Sequence, residues 1–199
     1  LPAANFTQNI SQLPYRWVNI PASKGGTGKI GASKCRKAEA DYIVNTLKEY
    51  LNDEQYADLN FGVISFYRGQ ADLIEKILGS AYNKKRVRIG TVDQFQGMEF
   101  DVIFLSTVRS GIDFSSVDFS RLEDEKDARY ISKISSQCYG FINDNRLCVA
   151  FSRQKKLLIV VGDAKMFYKD KAGRTAMQCV PALTMFYKKC LEKGGVINV

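Results

Sequence analysis

The chain has 199 residues, of which 45% are hydrophobic and 25% charged, and a formal net charge of +8. That length suits one domain with a substantial core, and the composition is that of an ordinary globular protein. There is no histidine, so Ser-His-Asp and Cys-His catalysis and the commonest transition-metal ligand are all excluded.

Residues 1–14 read as a polar lead-in with no basic start followed by an apolar block, so no signal peptide is expected. Leu1 in place of Met is read as the start of a piece of a longer protein, or as the result of processing. Residues 15–20 predict a first strand, and residues 21–33, rich in Gly, Ser and Lys, a mobile loop. From Arg36 to Leu51, Ala40, Ile43, Val44, Leu47 and Leu51 recur at helical spacing. Residues 61–65 predict a buried strand, and Leu73, Ile74, Ile77 and Leu78 mark a helix face ending near Gly79. Residues 87–91 and 102–106 predict two more strands, and residues 145–154 a short helix. The uninterrupted apolar run 157–161 predicts a strand buried on both faces. Pro181 suits the first turn of a last helix, with Leu183, Phe186, Tyr187, Cys190 and Leu191 on one face and Gly194 and Gly195 at its end.

Strands alternating with helices predict an α/β fold with a mainly parallel sheet, whose ligands bind at the carboxyl ends of the strands. A single domain over 1–199 is expected, with a partly helical surface insertion at about 111–139. That insertion holds six acids and four bases, a net −2 that leaves +10 elsewhere. The basic excess favours a polyanionic partner, or serves solubility alone. Cys35, Cys138, Cys148, Cys179 and Cys190 form no C-x-x-C pair. This argues against a disulfide framework or a metal site and for a reducing, intracellular (cytoplasmic) setting. No apolar run approaches the roughly 18 residues of a membrane span, so no membrane is expected as a partner.

Three motifs carry chemistry. Ser23 to Ile30 imitates the phosphate-binding loop G-x-x-x-x-G-K-[ST] but has Ser23 for the first glycine and Ile30 for the magnesium-binding hydroxyl, so a flexible basic loop is expected. In Gln96-Gly97-Met98-Glu99, the glycine allows close backbone approach to a ligand and the carboxylate could accept from ribose hydroxyls. Taken alone, the same residues are equally an ordinary turn with a solvated glutamate. Arg153, at the end of the semi-apolar run 147–151, could neutralise charge on a transferring phosphoryl group. Taken alone, it reads rather as a solvated arginine in the cluster Arg153, Lys155 and Lys156.

Four ordered blocks resemble the second RecA-like domain of superfamily 1 helicases, in the up-frameshift branch that includes the nonsense-mediated-decay helicase. Ser33 to Ala40 resembles the family's S-x-x-N-x-x-E-A segment, with Arg36 for the usual Asn. Val63 to Gln70 resembles motif IV, and Thr91 to Asp101, continued by Ser106 to Ser110, resembles motif V. Asn145 to Lys156 resembles motif VI, with Cys148 for Asn and Gln154 for Ala, and Val161-Gly162-Asp163 matches a closing V-G-[DN]. The resemblance implies a three-layer P-loop NTPase-type fold. It implies that Arg153 reaches the γ-phosphate of ATP as a catalytic arginine finger. Gln96, Gly97 and Glu99 would face the nucleotide, and Thr91, Asp93 and Gln96 would couple it to the nucleic-acid path. Thr107 and Arg109 would lie near the phosphates of single-stranded DNA or RNA, and Tyr67, Arg68 and Gln70 would support either surface or simply pack. ATP and Mg2+ would be held mainly by an N-terminal RecA-like domain outside this sequence. The 199 residues would then be inactive alone. The non-enzymatic alternative is a degenerate motor domain kept as a nucleic-acid-binding or scaffold module.

Overall fold

The computed structural model describes residues 13–80, 82, 85–123, 127–167 and 179–199. Most of the polar lead-in (1–12), Lys84 of the basic run 84–86 and residues 124–126 of the insertion lie outside them. Six strands form one sheet: β1 (Tyr15–Asn19), β4 (Phe61–Ser65), β5 (Val87–Thr91), β6 (Phe100–Ser106), β7 (Gln154–Gly162) and β8 (Val196–Asn198). Their order is β5-β4-β6-β7-β1-β8, and neighbouring strands run parallel. Helices cover both faces, so the sheet is the middle of three layers and the fold is α/β, as expected from the RecA-like resemblance.

The layers follow from residue alternation along the central strands. Ile103 and Leu105 of β6 and Leu158 and Val160 of β7 point to one core, shared with α5 (Asp144–Phe151) and α6 (Pro181–Glu192). Val102, Phe104, Leu157, Ile159 and Val161 point to the other, under α1 (Lys37–Asn52) and α2 (Arg68–Leu78). Both faces are buried, and the strands are correspondingly rich in β-branched and aliphatic residues.

Three sequence expectations change. The Gly/Ser/Lys-rich segment is an ordered antiparallel hairpin, β2 (Gly28–Ile30) with β3 (Ser33–Cys35), in which Gly31 takes φ +58°. A strand follows Lys29 where a phosphate loop would have a helix, so the loop-like motif has no phosphate cradle. β8 adds a parallel edge beside β1 where only the end of a helix was read. The segment 111–139 is partly helical, with α3 (Phe119–Glu123) and α4 (Ala128–Ile134), but it is more than a surface insertion. Phe114, Phe119, Leu122, Ile134, Cys138 and Tyr139 are buried in the same core as Val108 and Leu147.

Candidate nucleotide and nucleic-acid interface

The two chemistry-bearing blocks meet at the amino edge of the sheet, not at the carboxyl edge where ligands were expected. Thr91 caps the single turn 92–95, with Gln94 Oε1 accepting from Thr91 N at 2.9 Å. The chain then crosses beneath the sheet through Gln96 and Gly97 to start β6 at Phe100. Gly97 takes φ +78°, a left-handed conformation that favours glycine, and a Cβ there would meet open space. Crowding therefore does not require glycine here; the backbone angle does.

On the neighbouring strand, Asn143 caps α5 through its side chain, which accepts from Arg146 N at 3.0 Å. The helix ends at Phe151, and Arg153 lies one residue before β7. Its carbonyl accepts from Phe100 N at 2.9 Å, fixing motif VI to the start of β6. The half-buried guanidinium donates from Nε to Val149 O at 3.0 Å, from Nη1 to Met98 O at 3.2 Å, and from Nη2 to Ser152 Oγ at 2.8 Å. Arg153 and the 97–99 turn are thus one contiguous patch. Lys155 stands 3.8 Å from Glu99, both about half exposed or more, and Lys156 stands 3.2 Å from Asp101. The exposed Lys155–Glu99 pair contributes about 0–1 kcal/mol and leaves its charges available to a ligand, whereas Asp101 is mostly buried and also accepts from Asn60 N at 3.0 Å.

The carboxyl edge gathers the other candidates. Arg68 is exposed at the start of α2 and pairs with Asp72 at 2.8 Å. Asp93 is exposed and pairs with Arg146 Nη2 at 3.0 Å, tying the turn after β5 to the start of α5. Tyr67 is buried, with its hydroxyl donating to Tyr139 O at 3.4 Å. Arg109 is buried too; it donates from Nε to Cys138 O at 2.7 Å and from Nη2 to Gln137 O. Thr107 is buried, and its hydroxyl has no hydrogen-bond partner among the described residues. Gln70 is fully buried: its amide receives Arg36 N at 2.7 Å and donates to Ser106 Oγ at 3.0 Å.

Gln70 belongs to a network that the sequence reading of the site did not include. Arg36, the departure from the family's Asn, is buried and donates to Glu39 at 3.0 Å, to Ile20 O and Pro21 O, and to Gly25 O. Glu39 Oε2 accepts from Ser106 Oγ at 2.6 Å and from Val108 N at 2.9 Å. Burial raises the Glu39 pKa, while Arg36 and the two donors oppose the shift. Val108 is buried at φ +68°, a strained position for a β-branched residue. Glu39 therefore holds the backbone that aims Arg109. The sequence signal was Glu39 in the S-x-x-N-x-x-E-A block; its partners, 67 and 69 residues away, were not legible.

Beside Arg109 lies a cavity of about 300 Å³, lined in part by Thr27, Lys34, Ser110 and Gln137. Partial burial depresses the Lys34 pKa, and the charges of Arg109 and Lys29 add to the effect. Among the described residues no group of three or more His, Cys, Asp or Glu side chains could hold a metal ion.

A parallel sheet between helical layers is the architecture that the resemblance to RecA-like domains implies. The family model described as an AAA domain matches residues 2–165, and the chain belongs to that family. The curated relatives that it matches are helicases. It is 36% identical over 161 residues to the RNA helicase Mov10l1 of Homo sapiens, covering 79% of this chain and 12% of that protein. It is 28% identical over 175 residues to the putative helicase mov-10-B.2 of Danio rerio (81% and 15%). It is 31% identical over 140 residues to the helicase sen1 of Schizosaccharomyces pombe (66% and 7%). The chain thus spans between 7% and 15% of the length of these curated relatives.

Proposed function

We propose that this helicase domain is the second motor domain of an ATP-dependent helicase or translocase, with its amino edge forming one wall of the ATP site. The observation that carries this reading is the bond from Arg153 Nη1 to Met98 O, which puts the motif VI arginine against the Gly97–Glu99 turn. Gln96, Gly97 and Glu99 line the nucleotide, and Arg153 turns from Met98 O towards the γ-phosphate when the cleft closes. ATP, when bound, supplies the phosphoryl group that passes to water. Arg153 neutralises charge that develops on that group, and Lys155 keeps Glu99 oriented. Mg2+ and the remaining phosphate contacts belong to the N-terminal RecA-like domain of the parent protein.

On the opposite edge, Arg68 and Lys34 attract the phosphates of a single strand with little sequence preference, and the buried Arg109 braces the turn beside them. Tyr67, Gln70 and Thr107 support that surface from within. The Asp93–Arg146 pair, with Thr91 at the head of the same turn, links the two edges. The parent protein should separate a tailed duplex with ATP and Mg2+, and paired DNA and RNA substrates of each polarity will identify the track. Tight strand binding with neither ATP turnover nor strand separation would favour a degenerate binding module instead.

A further inference from the structure

Phe141 is one of the few large apolar side chains that the structure leaves exposed, at 58%. It belongs to none of the four sequence blocks. The turn that presents it is unusually well braced. Arg109 takes the carbonyls of Gln137 and Cys138, and the Tyr67 hydroxyl takes that of Tyr139. Gly140 then turns the chain at φ +62°, so closely over the Tyr67 hydroxyl that a side chain would collide with it. The Phe141 ring lies 5.6 Å from the Tyr67 ring at 44°. The Arg146 guanidinium lies 5.4 Å from the Phe141 ring centre. One aromatic is thus packed against Tyr67, has a cation over its ring, and still keeps more than half of its surface exposed.

We propose that Phe141 is a stacking platform for a base of the single strand, and that Tyr67 and Arg109 are positioning residues for it. This rests on the carboxyl edge being the strand path. A fixed aromatic face beside cations matches what sequence-tolerant strand binding uses, since every base has a π-face. A protein-binding hot spot would use the same ring, but the cationic surroundings and net basic charge fit a polyanion better. The proposal also explains why Arg109, expected near the strand's phosphates, is spent on backbone carbonyls instead.

The test is binding of the 199-residue chain to fluorescein-labelled 12-mers of uridine and of thymidine, followed by anisotropy at several salt concentrations. Phe141→Ala should weaken binding about 5- to 140-fold, as loss of one stacked base does. The slope of log affinity against log salt should stay unchanged, because no phosphate contact is lost. Phe141→Trp should bind at least as well as the wild type, and Phe141→Leu nearly as poorly as Ala. A purely structural role would not separate Trp from Leu in that order. A 2-aminopurine in the strand should be quenched by the wild type and not by the Ala variant. Wild-type binding that Phe141→Ala leaves unchanged would overturn the platform while sparing the strand path. No binding by the wild-type chain would overturn both.

Discussion

Replacing Arg153 by alanine in the full-length parent should lower kcat for ATP hydrolysis by about 10³- to 10⁵-fold, equivalent to about 4–7 kcal/mol of barrier. The fold should survive. The side chain is half-buried and its bonds are to Val149 O, Met98 O and Ser152 Oγ, so their loss costs on the order of 1 kcal/mol each at most. Strand binding should survive too, because Phe141, Arg68 and Arg109 lie on the opposite edge of the sheet. Arg153→Lys should recover little, since an ammonium keeps the charge without the planar fork. The combination of lost turnover, kept fold and kept strand affinity separates a catalytic arginine from a structural one. Steady-state ATPase assays and strand anisotropy on the same preparation give all three readings. Turnover retained within tenfold would remove Arg153 from catalysis.

The second large effect concerns stability. Glu39→Ala leaves the Arg36 guanidinium buried without its counter-charge and strips Ser106 Oγ and Val108 N of their acceptor. Breaking a buried pair on one side costs about 3–5 kcal/mol. Release of the Val108 backbone strain returns about 1–3 kcal/mol at most, because that conformation is no longer enforced. The loss wins, and the melting temperature should fall by about 5–15 °C for a chain of this size. Arg36→Ala should behave differently with pH. Burial already raises the Glu39 pKa, and removing Arg36 raises it further. A carboxyl whose folded pKa is raised stabilises the fold below its unfolded value near ~4.3 and loses that contribution as pH rises through the folded pKa. The deficit of Arg36→Ala relative to the wild type should therefore grow only once the pH rises above the already raised folded pKa of wild-type Glu39, whereas that of Glu39→Ala should not grow. Thermal melts of both variants from pH 4 to pH 8 check this.

The strands and helices were legible where side-chain periodicity is strong. Residues 61–65 form a strand at those bounds and 157–161 lies inside the longer β7, because an apolar run with no polar face has no other place in a parallel sheet; 87–91 also forms a strand at its bounds, beside β4 and with Arg88 exposed. β8 was hidden because three residues, Val196–Asn198, carry no period and are recruited by pairing with β1. The hairpin β2–β3 was hidden because its Gly and Lys content reads as loop, while its order comes from pairing and from Thr27 Oγ1 on Val108 O at 2.8 Å.

The candidate site was legible only in part. Residue identity alone could not bring Arg153 to Met98, 55 positions away, and only the resemblance to a helicase family suggested it. That same resemblance could not tell that Gln70 and Tyr67 turn inward, because their partners at Ser106 and Tyr139 are set by tertiary packing. Phe141 was invisible for the opposite reason. It stands among 12 phenylalanines, most of which a core absorbs, and only its exposure sets it apart.

On the proposed reading, this domain completes an ATP site that it cannot form alone. The most direct test of this is Mg2+-dependent ATP hydrolysis by the purified 199 residues beside the same chain joined to its neighbouring motor domain, each with single-stranded RNA and DNA. The account predicts background turnover for the isolated chain and strand-stimulated turnover for the joined protein. Robust turnover by the isolated chain would contradict it.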